Sequence, residues 1–147
     1  MSDRTKGAAL EKRVQLYLQT NGYLVDRARS SVVWVPNKQG GRFPVSRRVD
    51  FFGAFDLIAL KRQRPVRLVQ VTTSDSRSHR RAKVSDALAG FYPGTTYAVQ
   101  VWAWGRTVSR GWGFSVDDLR DDGWELDTDF VRSKDAPSPR RGQPNNY

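Results

Sequence analysis

Two apolar runs of strand length constrain what this chain can fold into: Val49-Asp50-Phe51-Phe52-Gly53-Ala54-Phe55-Asp56-Leu57-Ile58-Ala59-Leu60 and Val66-Arg67-Leu68-Val69-Gln70-Val71-Thr72-Thr73. Both are rich in aromatic and β-branched residues, and Arg64-Pro65 between them marks a tight turn, so together they predict a β-hairpin. Asp56 stands in the first run between Phe55 and Leu57. An ionised carboxylate in such surroundings is costly unless it is paired or ligates a metal. Two readings follow: a salt bridge to one of the many arginines, or a metal ligand. Asp50 would share a strand face with Asp56 but lie about 20 Å away at about 3.3 Å per residue. That is too far to share one ion unless Gly53 bends or bulges the strand.

A helix over about Arg4 to Thr20 precedes this hairpin, stopped by Asn21-Gly22. Leu10, Val14, Tyr17 and Leu18 recur at helical spacing, and Glu11 stands with Val14 and Leu18 at i, i+3 and i+7. Glu11 is one of two glutamates in the chain. It reads either as a helix-edge side chain paired with a lysine or as a group facing whatever Asp56 faces.

Between helix and hairpin, Tyr23 to Val35 reads as extended, Pro36 to Gly41 as a loop tip, and Phe43 to Val49 as a returning strand. Arg27, Arg29, Arg47 and Arg48 would form a basic rim suited to bidentate phosphate contact. Beyond the hairpin, Ser76 to Leu88 predicts a basic helix capped by Ser76 or Ser78. Its Arg77, Arg80, Arg81 and Lys83 suit a DNA backbone, and Ala82, Val84 and Leu88 give it a modest apolar face. His79 has no Cys or His companions for zinc and reads as a phosphate or solvent contact. Phe91-Tyr92-Pro93-Gly94 is a turn into an alternating strand, Thr96 to Trp104, whose Trp102 and Trp104 suit a core or a self-association face. Gly111 to Phe114 predicts a short strand. Ser115-Val116-Asp117-Asp118 resembles a helix start, with acids placed on the N-terminal dipole. Residues 1–132 make one domain, and Ser133 to Tyr147 has the composition of a disordered basic tail.

The net charge is +10 over 147 residues, unevenly spread. Residues 117–129 hold seven acids and one arginine, leaving 24 basic and 8 acidic side chains elsewhere, a charge of +16. Such an excess points to a partner rich in phosphate, nucleic acid rather than a small-molecule substrate. No basic amphipathic helix with bulky apolar residues opposite argues for a membrane surface. The absence of cysteine excludes disulfides, thiolate metal sites and cysteine nucleophiles. No apolar run has bilayer length and Met1 to Leu10 lacks a signal-peptide core, so a soluble, cytoplasmic protein is expected, in a host cytoplasm if its origin is viral.

The order helix with Glu, strand, strand with Asp, strand with a polar pair, helix, strand is an αβββαβ layout, an α/β class with a mixed central sheet flanked by helices. At Lys6-Gly7-Ala8-Ala9-Leu10-Glu11, Gly22-Tyr23-Leu24-Val25-Asp26-Arg27, Phe55-Asp56-Leu57-Ile58-Ala59 and Leu68-Val69-Gln70-Val71-Thr72 the chain resembles the PD-(D/E)XK nuclease superfamily. Within it, the archaeal-type Holliday junction resolvases are the most similar, over roughly Lys6 to Trp104. The resemblance implies a restriction-endonuclease-like core in a homodimer that binds four-way DNA junctions. It also implies paired nicks made with Mg²⁺, for which Mn²⁺ would substitute, in recombination and repair. By position, Glu11, Asp56 and Gln70 would ligate the metal, and Arg27 or Arg29 would contact the scissile phosphate. Two departures matter. Gln70 stands where the family has an acid, and Thr72 where it has a lysine. Lys83, or else Lys61, could supply the missing ammonium, and Asp50 could serve as a compensating ligand. A duplex-nicking endonuclease of the same fold, and a non-catalytic branched-DNA-binding protein on a decayed nuclease fold, are the alternatives.

Overall fold

The computed structural model describes residues 3–91, 96–107 and 111–127. The expected tail from Ser133 and the centre of the Phe91–Gly94 turn lie outside them. Helix α1 spans Asp3–Thr20. It ends in a Schellman motif: Tyr23 N donates to Leu18 O at 3.0 Å and Gly22 N to Gln19 O at 3.0 Å, with Gly22 at φ +86°. Leu18 and Tyr23 then join the same buried cluster, so the stop signal also fixes how the chain leaves the helix.

Strands β1 (Leu24–Arg27), β4 (Leu57–Leu60), β5 (Val66–Thr73), β6 (Tyr97–Thr107), β7 (Gly111–Arg120) and β8 (Gly123–Leu126) form one mixed sheet in the order β1-β4-β5-β6-β7-β8. All neighbours are antiparallel except β5 and β6. That parallel pair requires a crossover, supplied by a 3-10 turn (Ser74–Ser76) and helix α2 (Arg77–Leu88). Strands β2 (Ser30–Pro36) and β3 (Arg42–Arg48) pair only with each other, as a ribbon inserted between β1 and β4. The class is α/β, as expected.

Alternation along the central strands explains the layering. Val69, Val71, Trp102 and Trp104 point to one face and pack with Leu10, Val14, Tyr17 and Leu18 of α1. Leu68, Val99 and Val101 point to the other and pack with Val84 of α2. Each helix thus covers one face. Trp102, 1 % exposed, sits between Tyr17 and Phe114 with ring centroids at 5.6 and 6.0 Å. Trp102 and Trp104 are both core residues.

Two expectations are corrected. The run from Val49 is not one long strand: β4 begins only at Leu57. Residues 51–55 close on themselves instead, with Phe51 N donating to Phe55 O at 2.9 Å and Phe55 N to Phe51 O at 3.0 Å around Gly53 at φ +70°. Ser115 does not open a helix, because β7 runs on through Arg120 in register with β6. Pairing with a central strand outweighs the local capping pattern. Ser76 occupies the N-cap position of α2 as expected, and its side chain makes no capping hydrogen bond.

Candidate functional site

The tight turn at Gly53 is what builds the site. By folding residues 51–55 back, it brings Asp50 and Asp56 to one guanidinium instead of setting them a strand-length apart. Asp56 is fixed at the entrance of β4 by its own backbone, its N–H reaching Val69 O at 2.9 Å and its carbonyl accepting from Ala28 N at 2.8 Å. Asp56 as a whole is 4 % exposed. Oδ2 accepts from Val71 N at 2.8 Å and from Gln70 Nε2 at 2.6 Å, while Oδ1 accepts from Arg48 Nη2 at 2.7 Å.

Arg48, the last residue of β3, is the hub. Its Nη1 reaches Glu11 Oε1 at 2.7 Å and its Nε reaches Asp50 Oδ1 at 2.9 Å. One guanidinium therefore joins a carboxylate from α1, one from the turn after β3 and one from the start of β4. Arg27 adds a longer contact to Glu11 Oε2 at 3.5 Å, and Lys83 Nζ from α2 reaches Asp50 Oδ2 at 3.4 Å.

These charges do not simply cancel. Burial pushes the Asp56 carboxyl up to about 7, and the Glu11 carboxylate pushes in the same direction. The Val71 N–H and the Arg48 charge oppose them without prevailing. Arg48 loses from burial, but the Glu11 hydrogen bond and the Asp56, Glu11 and Asp50 charges hold it above its ordinary value. Desolvation dominates at Asp56 because the carboxyl lies deeper than the half-exposed guanidinium that partners it.

Of the expected site residues, Glu11, Asp50, Asp56, Gln70 and Lys83 are thus linked in one network. Glu11 is buried on the packed face of α1, as its spacing implied. Gln70 donates to Asp56 and to Val71 O at 3.1 Å, leaving its Oε1 buried with no hydrogen-bond partner. Thr72 is buried two residues further along the same strand face. Lys61 lies elsewhere, its Nζ on Asn21 O at 2.7 Å beyond the end of α1. Arg47 is exposed on the ribbon and Arg29 is exposed beside Asp26.

The basic helix is less free than its sequence suggested. Arg77 and Arg81 converge on Asp117 of β7, a carboxylate with no exposed surface; Arg81 Nη2 stands 2.6 Å from Oδ2 and Arg77 grips the same group with two nitrogens. The Asp117 hydrogen bond holds Arg77 above its ordinary value against the opposing pull of burial. Both guanidinium groups are thereby tied to β7. Arg80 is half-buried, with its Nε unpartnered, and His79 is exposed. On the α1 face, Asp118 accepts from Gln100 Nε2 at 2.8 Å, and Gln100 accepts from Trp102 Nε1 at 3.0 Å. Burial and a hydrogen bond with Asp127 push Asp118 up to about 6.

Sequence reasoning treated Arg48 as one of a rim of phosphate contacts and missed its central place. A signal was present: Arg48 and Asp50 are two apart, hence on one face of an extended chain, and Gly53 permits the bend that returns Asp56 to them. Among the described residues no three acidic or histidine side chains form a ready metal cage. No family model matches this chain, and neither a characterised protein nor a solved structure matches it.

Proposed function

We propose that this protein is a Mg²⁺-dependent, structure-selective DNA endonuclease of the PD-(D/E)XK kind, acting on four-way junctions as a homodimer. The observation that carries the reading is the convergence of Glu11, Asp50 and Asp56 on a single cationic position, now held by the Arg48 guanidinium. The order α1-β1-β4-β5-α2-β6 supports it, since the ribbon and the last two strands are additions to an αβββαβ sequence of elements.

The donor set suits a hard divalent cation. Magnesium takes oxygen ligands and needs only one or two carboxylates besides water and substrate phosphate. Here three carboxylates are available, and the buried Gln70 Oε1 is an acceptor without a partner. Glu11, Asp56 and Asp50 would hold the ion, which when bound would activate water and neutralise charge on the leaving oxygen. Gln70 contributes an uncharged oxygen where the family pattern has a carboxylate. Its amide must therefore turn its oxygen, now idle, toward the ion in place of the nitrogen that binds Asp56. Lys83 stands where an ammonium can orient water or meet a phosphate, in place of the lysine that Thr72 cannot replace. Arg27, at the rim beside Glu11, would contact the scissile phosphate.

The test is cleavage of an end-labelled four-way junction beside matched linear duplex, with Mg²⁺ and with Ca²⁺. Symmetric nicks in the junction with Mg²⁺ only, abolished by Asp56→Asn without loss of junction binding, are expected. Unchanged cleavage by Asp56→Asn would sink the metal-site assignment; cleavage of duplex as well would favour a nicking endonuclease. A second reading, a non-catalytic branched-DNA-binding protein, is favoured by the closed hydrogen bonding of Arg48 with its three acids. Tight junction binding with no product under either ion would establish that reading.

A further inference from the structure

The ribbon of β2 and β3 buries almost nothing. Thirteen of its fourteen strand residues are exposed, Val35 being half-buried, and Val32, Trp34, Phe43 and Val45 stand in solvent, Trp34 at 60 %. A two-stranded hairpin is at best marginally stable in water by itself. Exposed aromatic and branched side chains on such an arm mark an interaction surface. Residues 30–48 carry Lys38, Arg42, Arg47 and Arg48 and no acid, so the arm complements a polyanion and repels a second copy of itself. A two-stranded ribbon also has the width that the major groove of DNA admits.

Arg48 ties this arm to the carboxylates. Among the described residues, every ion pair between the ribbon and the body is made by Arg48. The same guanidinium holds the oxygens that a divalent cation would need. Arm and cation thus meet at one residue.

We propose that the ribbon is a DNA-docking arm and that Arg48 at its base makes it a latch: docking draws Arg48 off Glu11, Asp50 and Asp56 and opens them to a divalent cation. The cation half of this proposal rests on the metal-site reading above. In that arrangement the carboxylates stay neutralised until DNA is present, and the nuclease does not load its metal away from substrate. An effector shifts such an equilibrium only by its differential affinity for the two states, here DNA for the released arm.

The experiment is Mn²⁺ titration by calorimetry of the full chain without DNA, for wild type, Arg48→Gln and Arg48→Lys, with folding checked by circular dichroism. The latch predicts binding at least tenfold tighter in Arg48→Gln than in wild type, and a smaller gain in Arg48→Lys, whose single ammonium cannot span three acids. If Arg48→Gln does not fold, Arg48→Lys decides. In parallel, Lys38→Gln with Arg42→Gln, and Trp34→Ala alone, are titrated with a labelled junction over a salt series. Weaker binding, a log–log salt slope reduced by about 2 for the double variant, and Mn²⁺ affinity as in wild type support the arm. Mn²⁺ binding in Arg48→Gln no tighter than in wild type overturns the latch while leaving the metal site standing. No Mn²⁺ binding by any variant overturns both. Ribbon variants that bind DNA normally but sediment as smaller species would show that the arm meets a second copy instead.

Discussion

Asp56 sets two opposed effects against each other, and its pH dependence tells which one wins. A salt-bridged aspartate ordinarily titrates low and stabilises the fold at neutral pH. Here burial and the Glu11 carboxylate carry it from 3.8 to about 7 despite Arg48. Between those values the folded protein holds a proton that the unfolded chain has released, so stability falls as pH rises. At about 1.4 kcal/mol per pH unit the loss is about 4 kcal/mol, complete above pH 7 and absent below pH 4. Domains of this size have stabilities of about 5–15 kcal/mol, so the change is readily measured. Asp118, pushed up to about 6, contributes in the same direction. The assay is therefore urea unfolding of wild type and Asp56→Asn side by side from pH 4 to 8 in EDTA, followed by tryptophan fluorescence. Because asparagine cannot titrate, the difference between the two isolates Asp56. Wild type should lose about 4 kcal/mol relative to the variant across this range, with unchanged urea dependence. A flat difference would refute the raised value. A difference that moves in favour of wild type as pH rises would mean that Arg48 outweighs desolvation.

Three further outcomes follow from packing. Trp102→Ala removes the largest fully buried side chain, between Tyr17 and Phe114, and should cost about 3–5 kcal/mol in urea unfolding. A Cβ added at Gly105 would stand 2.6 Å from Ser74 Cβ, so Gly105→Ala must displace the turn that leads into α2. It should cost about 1–3 kcal/mol, seen as a lower melting temperature. Asp117→Asn leaves two guanidinium groups around a neutral amide and should cost on the order of 3 kcal/mol, whereas Asp121→Asn, on the exposed turn between β7 and β8, should leave the unfolding midpoint unchanged.

What the sequence made legible followed from periodicity. Glu11 beside Val14 and Leu18 placed a carboxylate on the packed face of α1, and alternation from Gln100 to Trp104 assigned each side chain of that stretch to its face. The Asn21-Gly22 stop was equally clear, because only a left-handed residue closes that motif. What escaped were contacts between segments distant in sequence. Asp117 and Asp118 looked like helix-cap acids because nothing local reveals that Arg77 and Arg81 of α2 await the first and Gln100 of the neighbouring strand the second. Asp50 seemed remote because Gly53 had two possible roles, and only the Phe51–Phe55 closure chooses between them. Arg48 was legible as a cation but not as the place where three acids meet.

The ribbon has one more consequence, for the concentrated protein. The main sheet ends on β1 and β8, each four residues long, and Asp26, Arg27 and Glu125 place charge along those margins. Such edges are poor templates for another strand. Each strand of the ribbon is seven residues long and leaves one margin of backbone donors and acceptors unpaired in solvent. Pro36 and Pro44 each delete a donor, and the arginines of β3 keep identical arms apart. The second safeguard is ionic and fades with salt while the first does not. Storage at low ionic strength thus protects the same arm that is proposed to seek DNA.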